Sequence, residues 1–191
     1  MEYTPDRIKV MEKIKILGIS GSLRPNSSAQ MILNTVKTFA GTDIDFKIYD
    51  GLSKLPPFDD SNTVPPEVEK FRSELKEADG VFFVSPEYAF GVPGSLKNAL
   101  DWTVGSGELV NKPAALVVAA TGGENAYQAW LLIFKALSLK IAEHSKLLIS
   151  FVRSKVNSEG TITDQETERN LKMVLDDLIR NIKSSRLSSI I

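Results

Sequence analysis

Lys13–Ser27 reads KIKILGISGSLRPNS. Its first eight residues are mostly apolar and end in a glycine flanked by serines, a strand closing in a turn. From Ser27 to Ala40 the residues Ile32, Leu33, Val36 and Ala40 recur at helical spacing. A strand that turns through small hydroxyl residues straight into a helix opens a βαβ unit. The pattern then repeats. Ile44–Tyr49 reads as a second strand, Gly80–Ser85 (GVFFVS) as a third, Ala114–Ala120 (AALVVAA) as a fourth and Lys146–Val152 as a fifth. Helical spacing fills Pro65–Ala78, Gly94–Val104 and Asn125–Ile141. Thr163, with Glu166 three residues on, reads as a capping box opening a last helix. Strands without alternation are buried on both faces, the habit of a parallel sheet. Right-handed crossovers then predict an α/β three-layer sandwich around a five-stranded parallel sheet of order 2-1-3-4-5. Ligands of such sheets lie beyond the C-terminal strand ends, so the loops after strands 1, 3 and 4 are the expected site.

The 191 residues suit one domain, expected over 13–191 behind a mixed polar extension at 1–12. The chain has no cysteine, which excludes disulfides, thiol nucleophiles and cysteine-ligated zinc or iron–sulfur centres. A single histidine, His144, disfavours a histidine metal site or a Ser–His triad, and no metal is expected. Lys and Arg number 23 against 24 Asp and Glu, a net charge of -1 with no nucleic-acid footprint. Ala114–Ala120 and Ala129–Phe134 are far shorter than the roughly 18 apolar residues of a membrane span. The N-terminus carries Glu2, Asp6 and Arg7 but no apolar core of a secretion signal, so a cytoplasmic protein is expected.

Loop 1, Ser20–Ser27 (SGSLRPNS), joins a strand end to a helix start. Free N–H groups there favour an anion; Ser20, Ser22 and Ser27 add hydroxyls and Arg24 adds charge. The plainer alternative is a tight turn in which Ser27 or Asn26 caps the helix. Neither G-x-x-x-x-G-K-[ST] nor G-x-G-x-x-G is present at this turn, so the loop suits a terminal phosphate monoester rather than a pyrophosphate. Loop 3, Ser85–Gly94 (SPEYAFGVPG), has two prolines and two glycines that fix an irregular backbone. It can present N–H and C=O groups to the edge of a planar polar ring, with Tyr88 and Phe90 as walls; a rigid turn with core aromatics is the alternative. Glu87 reads as a base or, more plainly, as a cap or ion-pair partner. Trp102 reads as core or subunit interface, and Lys97 need not face the site. Loop 4, Thr121–Asn125 (TGGEN), allows backbone to approach a ligand through Thr121, Gly122 and Gly123, or is an ordinary strand–turn–helix. His144 is expected as a last-turn cap at a helix C-terminus. Arg153, at the end of strand 5, reads as a surface ion-pair residue within reach of a ligand.

GSLRPNS at Gly21–Ser27 and PEYAFGVPGSLKNALDW at Pro86–Trp102 carry a resemblance. The chain resembles the NADPH-dependent FMN reductases, flavodoxin-like proteins that include quinone, chromate and azo-dye reductases, over roughly residues 13–183. The first segment is similar to the family pattern G-S-x-R-x-x-S, the second to P-E-Y-N…P-G-x-L-K-N-A-I-D-W. Ala29 and Ala89 stand where the family often has asparagine, and Gly122–Asn125 replaces a longer glycine-rich run with an arginine. The resemblance implies FMN, its phosphate held by Ser20, Ser22, Arg24 and Ser27. Its isoalloxazine would meet Pro86, Glu87, Tyr88 and Ala89, mostly through backbone, and Thr121, Gly122 and Gly123 at the other edge. It also implies hydride transfer from NADPH or NADH to the flavin, then to a small acceptor, in ping-pong order. The flavin carries the chemistry, so no catalytic side chain is expected. A homodimer or homotetramer is implied as well. The rival is a flavodoxin-type electron carrier or flavin-binding module; such carriers are strongly acidic, and a net charge of -1 is not.

Overall fold

The computed structural model describes residues 12–61, 63–157 and 159–188. The expected extension at 1–12 lies, apart from Glu12, outside the described residues. Strands β1 (Ile14–Ser20), β2 (Ile44–Ile48), β3 (Gly80–Ser85), β4 (Pro113–Ala119) and β5 (Lys140–Ile149) form one sheet of order β2-β1-β3-β4-β5. Every adjacent pair is parallel, giving the flavodoxin-like order expected. The helices are α1 (Ser28–Phe39), α2 (Pro66–Glu77), α3 (Gly94–Asp101), α4 (Glu124–Ala136) and α5 (Gln165–Ser188).

Side chains alternate along a strand, so each strand feeds two cores. Ile14 and Ile16, Phe82 and Val84, and Ala115, Val117 and Ala119 pack against Ile32, Leu33 and Val36 of α1 and Leu171, Val174 and Leu178 of α5. Leu17 and Ile19, Val81 and Phe83, and Leu116 and Val118 meet α2, α3 and α4 through Phe71, Leu75, Leu96, Trp130 and Phe134. Burying each of the Val, Leu, Ile and Phe side chains among them contributes roughly 1.5–3 kcal/mol. Trp102 is core, its indole N–H donating to the Pro56 carbonyl at 2.9 Å and its ring meeting Phe58 edge-on. Lys97 pairs with Asp101 one turn along α3.

Three expectations are corrected between Leu137 and Asp164. Apolar spacing through Ile133, Leu137 and Ile141 reads on as helix, but α4 stops at Ala136. Ser138 turns the chain at φ 56, and β5 starts at Lys140. The register then slips. Ile141 pairs with Ala114 and Lys146 with Leu116, so Ala142–Ser145 bulge from the ladder. His144 is therefore an exposed strand residue in that bulge and not a helix cap. The last helix is capped by Asp164 rather than by Thr163: Asp164 Oδ2 accepts the Thr167 N–H at 2.9 Å. A carboxylate accepts that N–H more strongly than a hydroxyl does.

Candidate functional site

The loops at the C-terminal edge of the sheet are tied together by hydrogen bonds. The Gly21 N–H of loop 1 donates to the Val84 carbonyl at 2.8 Å. Ser22 Oγ lies 3.2 Å from the Tyr88 hydroxyl of loop 3. Glu87 Oε2 accepts the Ala126 N–H at 2.9 Å, which pins loop 3 to the first turn of α4. Beneath it, buried Ser85 Oγ accepts the Trp130 indole N–H at 2.8 Å and donates to the Pro86 carbonyl at 2.8 Å. Loop 4 is joined to the segment after β5: Thr121 O accepts the Phe151 N–H at 3.0 Å, and Gly122 O accepts the Ser150 hydroxyl at 3.1 Å.

In loop 1 the hydroxyls of Ser20, Ser22 and Ser27 belong to buried residues. Ser20 Oγ accepts the Ser22 N–H at 3.3 Å and donates to the Ser22 carbonyl at 3.4 Å, and Ser22 Oγ accepts the Arg24 N–H at 3.3 Å. Ser27 caps α1, its Oγ accepting the Gln30 N–H at 3.2 Å. Capping and anion binding are compatible, because the oxygen caps while the hydroxyl proton stays available as a donor. The first turn of α1 holds no acidic residue, so its positive end is not neutralised from within. Arg24 is exposed, and its guanidinium makes no bond within the described residues. Hydroxyl donors, a helix N-terminus and a free cation converge here, a donor set that fits a phosphate monoester.

Loop 3 folds back at Tyr88–Gly91, where Tyr88 and Gly91 exchange N–H···O bonds of 3.0 and 2.9 Å. Ala89 (φ 50) and Phe90 (φ 57) are both left-handed, the pattern of a primed hairpin turn. Neither is glycine or asparagine, so the turn stores backbone strain at the edge of the site. Phe90 is 80 % exposed, and the Tyr88 hydroxyl reaches loop 1. Glu87 takes the plainer of its two expected roles, capping α4.

In loop 4, Gly123 has φ 111 and is the N-cap of α4. A Cβ there would stand 2.7 Å from Leu148 Cδ1, so the glycine is required by the fold itself. Thr121 is exposed and Gly122 half-buried beside it. The sequence reading missed Phe151, left-handed at φ 54 and 67 % exposed, on the segment hydrogen-bonded to loop 4. Nothing in a phenylalanine announces a positive φ, and the strand expected to run to Val152 ends at Ile149, so the turn at Phe151 had no signal in the sequence. Arg153, two residues on, lies exposed in a short 3-10 turn, Val152–Ser154.

A sequence model of the NADPH-dependent FMN reductase family matches residues 14–153. The chain is 32% identical over 176 residues to an NAD(P)H:quinone oxidoreductase of Solanum tuberosum, covering 85% of this chain and 89% of that one. It is 29% identical over 177 residues to an NAD(P)H-dependent FMN reductase of Pseudomonas aeruginosa, covering 87% and 94%. The fold is similar to that of FerB, a flavoenzyme NAD(P)H:acceptor oxidoreductase of Paracoccus denitrificans. There the TM-score is 0.79 at 22% identity, over 90% of this chain and 98% of that one. The chain belongs to the NADPH-dependent FMN reductase family.

Proposed function

We propose that the crevice formed by loops 1, 3 and 4 is the FMN site of an NAD(P)H-dependent oxidoreductase that reduces small quinone-class acceptors. The activity follows from family membership: the chain is an NAD(P)H-dependent oxidoreductase that uses FMN. The observation that carries the location is loop 1, with three buried hydroxyls and a free Arg24 at an uncharged helix start. Bound FMN supplies hydride acceptance from the nicotinamide and hydride release to the acceptor. Ser20, Ser22, Arg24 and Ser27 hold its phosphate. Pro86, Glu87, Tyr88 and Ala89 present backbone to the ring edge, and Thr121, Gly122 and Gly123 face it from loop 4. The Glu87 carboxylate fixes the spacing of loops 3 and 4 by holding the Ala126 N–H.

The quinone class rests on relatives such as the Solanum tuberosum enzyme. Two exposed aromatics at the rim, Phe90 and Phe151, suit flat apolar acceptors. A cytoplasmic homodimer or homotetramer extends the same reading. Among the described residues no helix is long and apolar enough to cross a membrane. The test is steady-state oxidation of NADPH, then NADH, with a 1,4-benzoquinone and no protein partner. Turnover that requires FMN is expected. Flavin that binds without any turnover would favour the electron-carrier reading.

A further inference from the structure

Tyr88 belongs to the loop expected to meet the flavin ring, yet its hydroxyl lies 3.2 Å from Ser22 Oγ, in the loop expected to hold the phosphate. A serine hydroxyl accepts two hydrogen bonds and donates one. Ser22 Oγ already accepts the Arg24 N–H at 3.3 Å. If the tyrosine O–H donates to the second lone pair, both acceptor positions are filled. The single Ser22 proton is then left to point away from both partners. The residue is 7% exposed, so few other groups compete for that proton. The turn that sets the tyrosine is rigid: Tyr88 and Gly91 are bonded both ways across two left-handed residues. Glu87, next along the chain, is held by α4.

We propose that Tyr88 is a positioning residue of the anion site: its hydroxyl donates to Ser22 Oγ and commits the Ser22 proton to the phosphate. The inference rests on the FMN reading above. It assigns the tyrosine hydroxyl to the phosphate end of the ligand rather than to the ring, and it links the two loops so that anchoring the phosphate also orders loop 3.

The test compares FMN with riboflavin, which has the ring and lacks the phosphate. Both are titrated by flavin fluorescence against the full-length wild-type chain, Tyr88→Phe, Ser22→Ala and the double variant. Tyr88→Phe keeps the aromatic ring and removes only the hydroxyl. One hydrogen bond corresponds to a loss of about threefold to tenfold in FMN affinity. Riboflavin affinity should stay within twofold. Ser22→Ala should add little in the Tyr88→Phe background, because the two groups act as one unit. Unchanged FMN affinity in Tyr88→Phe, or equal weakening of FMN and riboflavin, would overturn the assignment while leaving the FMN site in place. Wild-type protein that takes up neither flavin would overturn the functional reading, and this assignment with it.

Discussion

At the scale of single residues, the proposed site separates side chains that would hold the phosphate from those that only shape the backbone. Arg24 is exposed with a free guanidinium, so its removal costs the fold little. Charge-assisted hydrogen bonds are worth about 1.5–3 kcal/mol, so Arg24→Ala should weaken FMN by about tenfold to a hundredfold. Hydride transfer at saturating flavin should change far less, since this contact touches only the anchor. A titration showing unchanged FMN affinity would remove Arg24 from the site. Ala89 poses a separate question, because a left-handed φ of 50 suits asparagine better than alanine. Ala89→Asn should raise stability by about 0.5–1 kcal/mol, read as a small rise in Tm. A fall in Tm would mean that the turn tolerates alanine for another reason. The hydroxyls and arginine of loop 1 were legible because their chemistry is carried by residue type and spacing. The Tyr88–Ser22 contact was not, because it depends on a turn made by two left-handed residues that no local preference announces.

At the scale of elements, the helices are fastened to the sheet at points remote from the site. Arg186 of α5 donates to Asp79 Oδ1 at 3.1 Å and Oδ2 at 2.6 Å, and Asp79 Oδ2 also accepts the Lys15 N–H at 2.7 Å. This fork joins α5 to the N-terminal edge of β1 and β3. The pair is partly exposed, so Asp79→Ala should cost about 1–2 kcal/mol, a Tm loss of several degrees, with FMN affinity unchanged. A drop in FMN affinity at constant Tm would contradict that division between ends of the sheet. Across α5 and β5, buried Asp177 accepts the Ser145 hydroxyl and the Arg180 guanidinium, each at 2.7 Å. Burial pushes its carboxyl upward, but the Arg180 and Ser145 hydrogen bonds outweigh it and hold the group below its ordinary value, with His144 adding a little. A carboxyl depressed in the folded state stabilises above its unfolded pKa of about 3.9, and that stability is lost as pH falls through the lower folded value. Asp177→Asn should therefore flatten the acid limb of a urea-midpoint profile below about pH 4. An acid limb identical to wild type would contradict the account. The strands were legible from their apolar runs, except the start of β5, where Lys140–Ser145 mixes charge with small residues. Its bulge breaks the register that would have shown a strand, and Ile141 falls in step with the apolar face of α4.

At the scale of the whole molecule, two cores on opposite faces of one sheet leave the C-terminal strand ends open. The order of the strands was legible because continuous apolar strands separated by helices leave few right-handed topologies. That the segment after β5 is hydrogen-bonded to loop 4 was not, since the sequence offered only Arg153 from that end of the sheet. A net charge of -1 gives little long-range steering toward a basic redox partner, so the enzyme should turn over with small molecules alone and with weak dependence on ionic strength. A steep fall in rate with salt would point to a charged partner surface. The most direct test of the central claim is an anaerobic absorption spectrum of the protein loaded with FMN, before and after NADPH is added. The account predicts flavin bands that bleach on addition of NADPH and return on addition of a quinone. Bound flavin that stays oxidised under NADPH would contradict it.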